Sequence, residues 1–452
     1  MTDTTAGTAS PVQSSPSQEQ SASDTARAMT SSPASASAMT LAAGGTPPAA
    51  SNPMSELRTA ALGAALVAIG PITMALYTPA MPVLADVFGT SQSMVKLTLT
   101  AYFAGFALTQ LVCGPLTDAF GRRPVTIAFL VLYLASTIVA TYAPTIEWML
   151  VARTLQGIGA SVGVAVSRAI VRDQFTGQTS ARIMNTIAMM LAIGPAIAPT
   201  IGGVTLELFG WREIFWAMLV YGLVLSVAMV IGLKETNAYI DRANLRPRTL
   251  LRNYATLLAD PRYMQPSLLV GLGIGTIYTL ASVLPFVLID RVGLTATQFG
   301  FGMMIQSGSF ISGTIVTGQM MRRMDAERLL PFGMGGMVVA GLAMLCALSL
   351  FPPSFLGTML PVGIFAFSLA LSLPAVSTAA LQGFPRMAGA ASAMMGFLQF
   401  GAGLLGSLVI AAIGDPLTGI VLVPPAMLFS GVGAYLWLGR VNARRAGASG
   451  VA

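Results

Sequence analysis

The chain of 452 residues contains no histidine, and its only two cysteines, Cys113 and Cys346, each sit inside an apolar run. That scarcity argues against a zinc site, haem ligation and a disulfide framework. Charge is almost as scarce. Only 9% of residues are Asp, Glu, Lys or Arg, against about 25% in an ordinary soluble chain. With 54% hydrophobic residues and a mean hydropathy of +0.74, the composition is that of a membrane protein with little room for a sizeable soluble domain. The formal net charge of +7 comes almost entirely from arginine. In such a chain basic residues report topology before they report a nucleic-acid partner, and none is expected. Gly271, Gly273 and Gly275 do not form a nucleotide loop, because they fall inside an apolar span with no strand before them. Neither a cofactor nor a metal is expected.

What is present is a regular series of apolar stretches, each near the ~20 residues that cross a bilayer as a helix. Residues 1–53 precede it: rich in Ser, Ala, Thr, Pro and Gln and without apolar periodicity, they read as a disordered cytoplasmic tail. Met54 reads as an alternative start. The first apolar group runs through Leu62–Pro82, Leu97–Gly114, Val125–Tyr142, Trp148–Val166, Ile187–Leu206 and Ile214–Ile231. A polar, arginine-rich linker at 234–265 interrupts it. The second group is Leu268–Ile289, Phe299–Met320, Leu330–Leu350, Leu356–Ala379, Ala388–Ile413 and Ile420–Leu438. The expectation is an all-α membrane protein of twelve transmembrane helices in two six-helix halves, 54–233 and 266–440, ending in a cytoplasmic tail at 441–452.

Lys and Arg stay on the cytoplasmic side of short loops. With both termini inside, the inner segments collect Arg58, Arg122, Arg123, Arg168, Arg172, Arg182, the linker bases including Arg242, then Arg322, Arg323, Arg328, Arg386, Arg440, Arg444 and Arg445. The outer segments keep only Lys96, Arg212 and Arg291. A weak internal repeat relates the halves: Gly114-x-x-x-Asp118 with Arg122-Arg123, and Gly318-x-x-x-Arg322-Arg323. Parallel six-helix repeats with a midplane site between them are one pattern transporters use.

Three segments carry chemistry. GPLTDAFGRRPV, Gly114 to Val125, combines a small residue that lets another helix approach, a carboxylate at an inner helix end, and a turn at Gly121 presenting Arg122 and Arg123. The acid is suited to cap the positive end of a helix starting on the same side, such as the eleventh near Ala388. An ordinary basic loop is the other reading of the same residues. Arg153, about two turns into the fourth helix and followed by Gln156-Gly157, is a charge at a depth that costs roughly 2.5 to 3.5 kcal/mol on insertion scales. Either it faces a cavity or partner, or it snorkels to the headgroups. The fifth helix holds Gly194, Pro195, Pro199, Gly202 and Gly203. The prolines bend it and the glycines permit close crossing, features any bent membrane helix can use. Tyr77, Tyr102, Tyr278, Gln306 and Gln399 lie at mid-helix depth, with Met394 and Met395 beside the last. They are candidates for a pocket taking amphipathic molecules, although each alone reads equally as core or lipid-facing.

GPLTDAFGRRPV closely resembles the signature between the second and third helices of the major facilitator superfamily. Gln110-Leu111, the run Ala165 to Asp173 (AVSRAIVRD) and Tyr77-Thr78-Pro79-Ala80-Met81-Pro82 resemble its Bcr/CflA drug-resistance branch. The resemblance spans about residues 58–440. It implies a major facilitator fold, a conformational latch at Asp118 organised by Arg122, and a coupling or substrate role for Arg153 in an RxxQG motif. It also implies an export-type fifth helix, with Ala198 where glycine is common, and a proton antiporter. Two departures stand out. Ala119 replaces the basic residue that often follows the latch aspartate. Ala75 replaces the first-helix aspartate just before the Tyr-x-Pro-Ala run, leaving no carboxylate at midplane depth.

The sequence therefore describes a monomeric secondary transporter of the inner membrane, exporting small amphipathic compounds or drugs by alternating access, and not an enzyme. With no ATP-binding signature, its energy source is a gradient, and protons enter as a partner through the resemblance. The alternatives are a metabolite importer or facilitator whose Arg153 holds an acceptor-rich or anionic group, and a non-transporting sensor or scaffold on the same fold.

Overall fold

The computed structural model describes residues 54–238, 240, 246–384 and 387–449, and among these every regular element is helical. The tail 1–53, Asp241, Arg242 and Arg386 lie outside the described residues. Helices close their own backbone hydrogen bonds, which a medium without water demands. The long helices are α1 (Glu56–Val87), α2 (Gln92–Phe120), α3 (Arg122–Thr141), α4 (Ile146–Arg172), α5 (Gly177–Phe209) and α6 (Trp211–Gly232). After the linker come α7 (Pro261–Arg291), α8 (Ala296–Met320), α9 (Ala326–Leu350), α10 (Phe355–Gln382), α11 (Ala388–Ile413) and α12 (Pro416–Ser449). Eleven of them are long and apolar enough to cross a membrane among the described residues, and α5, the twelfth, is 33 residues long. The chain is an all-α membrane protein of twelve helices in two six-helix halves.

Local chemistry sets the boundaries. The Ser55 and Ser91 side chains accept from the amides of Arg58 (3.3 Å) and Met94 (3.2 Å), and Thr295 with Gln298 forms a reciprocal capping box. The helices are longer than their apolar centres. α2 continues through Asp118 to Phe120, and Gly121 alone, at φ +96°, makes the turn before Arg122 opens α3. That backbone suits glycine, so the expected loop shrinks to one residue. The linker is not wholly irregular either: Pro247–Ala259 is a helix that buries Tyr254 and Leu257. α12 carries on through residues 441–449, where the sequence suggests a tail.

Two buried apolar clusters form, one almost wholly from α1–α6 and one from α7–α12 with the linker helix. Glycines fix the close crossings inside the first half. A Cβ on Gly157 would collide with the Tyr102 carbonyl oxygen, and one on Gly163 with that of Leu66. Others act between halves: a Cβ on Gly203 would strike the Ala296 carbonyl oxygen, and one on Gly300 would stand 2.6 Å from that of Pro199. The close crossing read into the fifth helix thus joins α5 to α8. Gly114, by contrast, has nothing within 4 Å of a built Cβ, so no helix leans on it in this conformation.

Valine at the two kinds of glycine should fail in different ways. Gly157→Val is expected to cost about 1–3 kcal/mol of stability, read as a lower melting temperature of the purified chain. Gly203→Val should keep its melting temperature and prise α5 from α8. In a cysteine-free background, a Thr297→Cys reporter would then react faster with a membrane-impermeant maleimide. Unchanged labelling would show that the α5–α8 seam tolerates the extra bulk.

Candidate functional site

Helices α2 and α11 pack along each other and run antiparallel, so the same layers appear in opposite order on the two chains. At one end Lys96 of α2 meets Gly414 just beyond α11, its Nζ donating to the carbonyl at 3.4 Å. Two turns deeper lies an aromatic stack shared by both halves. Phe106 stacks on Phe400 at 3.9 Å between centroids, Phe400 on Tyr278 at 4.5 Å, and Tyr278 meets Phe103 at 5.3 Å. One further turn along, from Gln110 to Asp118 on α2 and from Gly389 to Ala393 on α11, the helices line a cavity of about 340 Å³. Exposed Arg172 and Gly389 stand in its wall, so it opens at the Asp118 end of the bundle.

The Lys96 end is sealed. Gln92 Nε2 donates to Asp290 Oδ2 at 2.8 Å, and Glu207 accepts from the amide and hydroxyl of Thr297 at 2.8 and 2.7 Å, both across the halves. Lys96 is fully buried with its ammonium 5.1 Å from the Phe286 ring centroid. Between α11 and α12, Asp415 accepts from the Thr418 amide and from Arg291. Chiefly through that amide bond, its carboxyl is held below the usual aspartate value.

At the cavity mouth the expected latch residues are knitted within one half. Asp118 pairs with Arg122, whose Nε reaches Asp173 at 3.0 Å and whose Nη1 donates to Thr117 Oγ1 at 2.6 Å. Glu235, in the linker, accepts from the Arg122 and Arg123 amides at 2.9 and 3.1 Å, a carboxylate seated on the N-terminus of α3. Arg123 donates onward to the Val230 carbonyl at the end of α6. In this conformation the Asp118 ion pair lies with Arg122, not at the start of α11. The linker helix bridges the halves, Tyr254 donating to the Leu111 carbonyl at 2.5 Å. Burial pushes the Tyr254 hydroxyl up to about 12, so it remains a donor at any physiological pH.

Arg153 occupies the core of the first half with none of its surface exposed. Its guanidinium lies between the faces of Tyr77 and Tyr102, 4.3 and 4.6 Å from their centroids, and donates to Gln156 Oε1. Gln156 is held by Thr137 at 2.8 Å, Tyr77 by Thr98, and Tyr102 by the Gly70 carbonyl at 3.0 Å. Nε and Nη2 of Arg153 have no hydrogen-bond partner, and among the described residues no carboxylate is within ion-pair distance. A desolvated guanidinium on one aromatic face gains about 2 kcal/mol, so two faces and one hydrogen bond offset much of a burial cost of several kcal/mol. Snorkelling is not what Arg153 does here.

Of the sequence candidates, Tyr77, Tyr102, Arg153 and Gln156 come together as this box, which does not line the cavity. Tyr278 joins the aromatic stack. Gln306 is buried elsewhere on α8 with Oε1 unpartnered, and Gln399 stays half-buried outside the cavity lining. Gly194 and Pro195 are half-buried on α5, while Pro199 and Gly202 are buried, Gly202 against the Leu76 backbone. Phe103, Phe106, Phe400, Lys96 and Glu235 escape the sequence reading. The first three are apolar residues in apolar runs, and the last two gain meaning only from chain segments far away.

A twelve-helix bundle sealed at one end, with a cavity between its halves at the other, is a membrane transporter. Residues 62–407 match the Major Facilitator Superfamily, and the chain belongs to that family. It is 31% identical over 357 residues to the uncharacterized MFS-type transporter YdgK of Bacillus subtilis (strain 168), covering 78% of this chain and 87% of that protein. It is 24% identical to the bicyclomycin resistance protein homolog of Haemophilus influenzae, covering 83% and 95% respectively. To multidrug resistance protein D of Escherichia coli (strain K12) it is 26% identical, covering 76% and 86%. In fold it is similar to the xylose transporter XylE of E. coli in a partially occluded inward open conformation, with a TM-score of 0.66 at 14% identity over 85% of this chain and 97% of that one.

The Arg153 box makes a stringent prediction. Arg153→Lys keeps the charge but loses the planar group that lies between two rings. It is expected to cost about 2 kcal/mol of stability and to abolish transport at normal protein levels. A lysine variant with wild-type melting and activity would show that the sandwich is dispensable.

Proposed function

We propose that this transporter exports small amphipathic compounds from the cytoplasm by alternating access, with its Asp118 end facing inward. The observation that carries the reading is the cavity, lined by both halves and open at the arginine-rich end, with the Phe106–Phe400–Tyr278 stack deeper between the same helices and the opposite end sealed. A chamber whose walls mix polar side chains with apolar ones suits molecules that carry both an apolar body and a polar group. The positive-inside bias supports the orientation. Relatives named for bicyclomycin, chloramphenicol and multidrug resistance support drug-like cargo. The cycle then needs the stack and the Lys96-end seam to part while α2 and α11 close over the cavity. In that second state Asp118 and Gly114 come to face the start of α11. The importer reading, with Arg153 as the substrate anchor, is less well supported, because Arg153 is enclosed in its own half.

Cells expressing the protein should accumulate less of some members of a panel of toxic amphipathic compounds than cells lacking it, measured as intracellular content. Equal or higher content across the whole panel would overturn the export reading.

Energy coupling departs from the antiporter pattern. Ala75 is buried where a carboxylate would serve as carrier, and Asp86, Asp290 and Asp415 cluster at the sealed end while Asp118 and Asp173 sit at the open one. A proton carrier must be reachable from both sides in turn, and a buried acid titrates near neutrality because desolvation raises its pKa. We infer weak proton coupling, or coupling through Asp86 or Asp118. In proteoliposomes an imposed pH gradient should drive substrate weakly, and Ala75→Asp should strengthen the response. Strong proton-driven accumulation by the unmodified chain, abolished by a protonophore and untouched by Asp86→Asn and Asp118→Asn, would refute it.

A further inference from the structure

Two arginines inside the bundle lack an acidic partner among the described residues, and their surroundings differ. Arg153 is closed off between Tyr77 and Tyr102. Arg168, on α4, lines the cavity and keeps part of its surface accessible. Its one hydrogen-bond partner among the described residues is Ser392 of α11, at 3.1 Å across the two halves. A guanidinium has five N–H donors, so most of this one's capacity is unspent. The Tyr278 ring, stacked on Phe400 at 4.5 Å, belongs to the aromatic layer deeper between the halves and is not part of the cavity lining.

The charges around the cavity are unbalanced. Arg122 is taken up by Asp118 and Asp173, whereas among the described residues Arg168 and Arg172 form no ion pair and Asp118 is the only acid in the lining. A partly desolvated cation without a counter-ion costs free energy that an incoming anion recovers. Charge-assisted hydrogen bonds to a carboxylate or sulfonate are also about twice as strong as neutral ones. Serine supplies one neutral acceptor and leaves the charge unmet.

We propose that Arg168 forms a subsite for the anionic oxygen group of an amphipathic acid held in the cavity. The preferred cargo is then an amphipathic carboxylate or sulfonate. This deepens the export reading and rests on it for the direction of movement, whereas the binding step is testable by itself. The short contact with Ser392 gives the site a second property: an anion drawing Arg168 away removes a tie between α4 and α11.

The test is calorimetric titration of the purified full-length chain near neutral pH with three probes of one shape: 2-naphthoate, 2-naphthylmethanol and 2-naphthylmethylammonium. Naphthoate should bind about tenfold tighter than the alcohol, the scale of one charge-assisted hydrogen bond, and the ammonium weakest. Arg168→Gln should erase that preference while leaving alcohol affinity unchanged, which also reports an intact fold. Ser392→Ala should leave naphthoate binding equal or tighter, because it frees the guanidinium. If Arg168 only ties α4 to α11, Ser392→Ala will instead behave like Arg168→Gln. No naphthoate binding, preference for the ammonium, or a preference that survives Arg168→Gln overturns the subsite. Naphthoate binding that depends on Arg168 in a protein that lowers no compound's cellular content leaves the subsite standing and removes the export reading. Export of neutral compounds by a chain that ignores naphthoate does the reverse.

Discussion

The antiparallel packing of α2 against α11 puts the sealing layer, the aromatic layer and the cavity on the same pair of rods. At about 1.5 Å per residue, Lys96, Phe106 and Asp118 are spread over much of a bilayer's thickness. Any rocking that separates the pair at one end presses it together at the other. The aromatic layer lies between, so it must slide or part in both directions. Rings meeting by faces and edges are suited to this, because their attraction is spread over many weak contacts and not fixed by one directional bond. Each half, by contrast, is held as a unit by glycine-mediated crossings that tolerate no added methyl group. Rigid halves and a soft seam are what alternating access requires of a helical bundle.

Charge is handled differently in each layer. At the cavity mouth carboxylates meet arginines directly, and the network of Asp118, Arg122, Asp173 and Glu235 ties together the ends of α2, α3, α4 and α6. In the core of the first half an arginine is stabilised by rings and an amide, with no countercharge. Arginine keeps its charge far more readily than any other basic side chain, so the box suits a fixed positive charge better than a proton carrier.

Much of the architecture was legible because lipid imposes it. Twelve apolar segments and their punctuation are one-dimensional signals, and the bundle follows them closely. The weight of Gly202 and Gly203 was also readable, since small residues in an apolar span serve close packing more often than anything else. What sequence could not supply was pairing at a distance. Arg153 reads as a cavity residue until Tyr77 and Tyr102 are seen on either side of it. Glu235 looks like linker charge until its oxygens meet the first amides of α3. Lys96 counts as an outer-loop base by sequence, yet the closure of the opposite half buries it completely. The loop expected between Gly114 and Arg123 contracts to Gly121 because helix propagation is favourable right up to the bilayer's edge, where apolar periodicity has already faded.

The two halves also divide the chemistry unequally. The arginine box, the ion pairs of Arg122, and Arg168, which forms no ion pair among the described residues, all belong to α1–α6, and from the second half come chiefly surfaces: Tyr278, Phe400, Ser392 and the small residues of α11. A half that carries fixed charges is costly to deform, since each buried charge depends on the placement of its neighbours. A half built of rings, methionines and small side chains repacks cheaply. The opening and closing proposed for the cavity would therefore be easiest to accommodate in α7–α12, with α1–α6 as the frame.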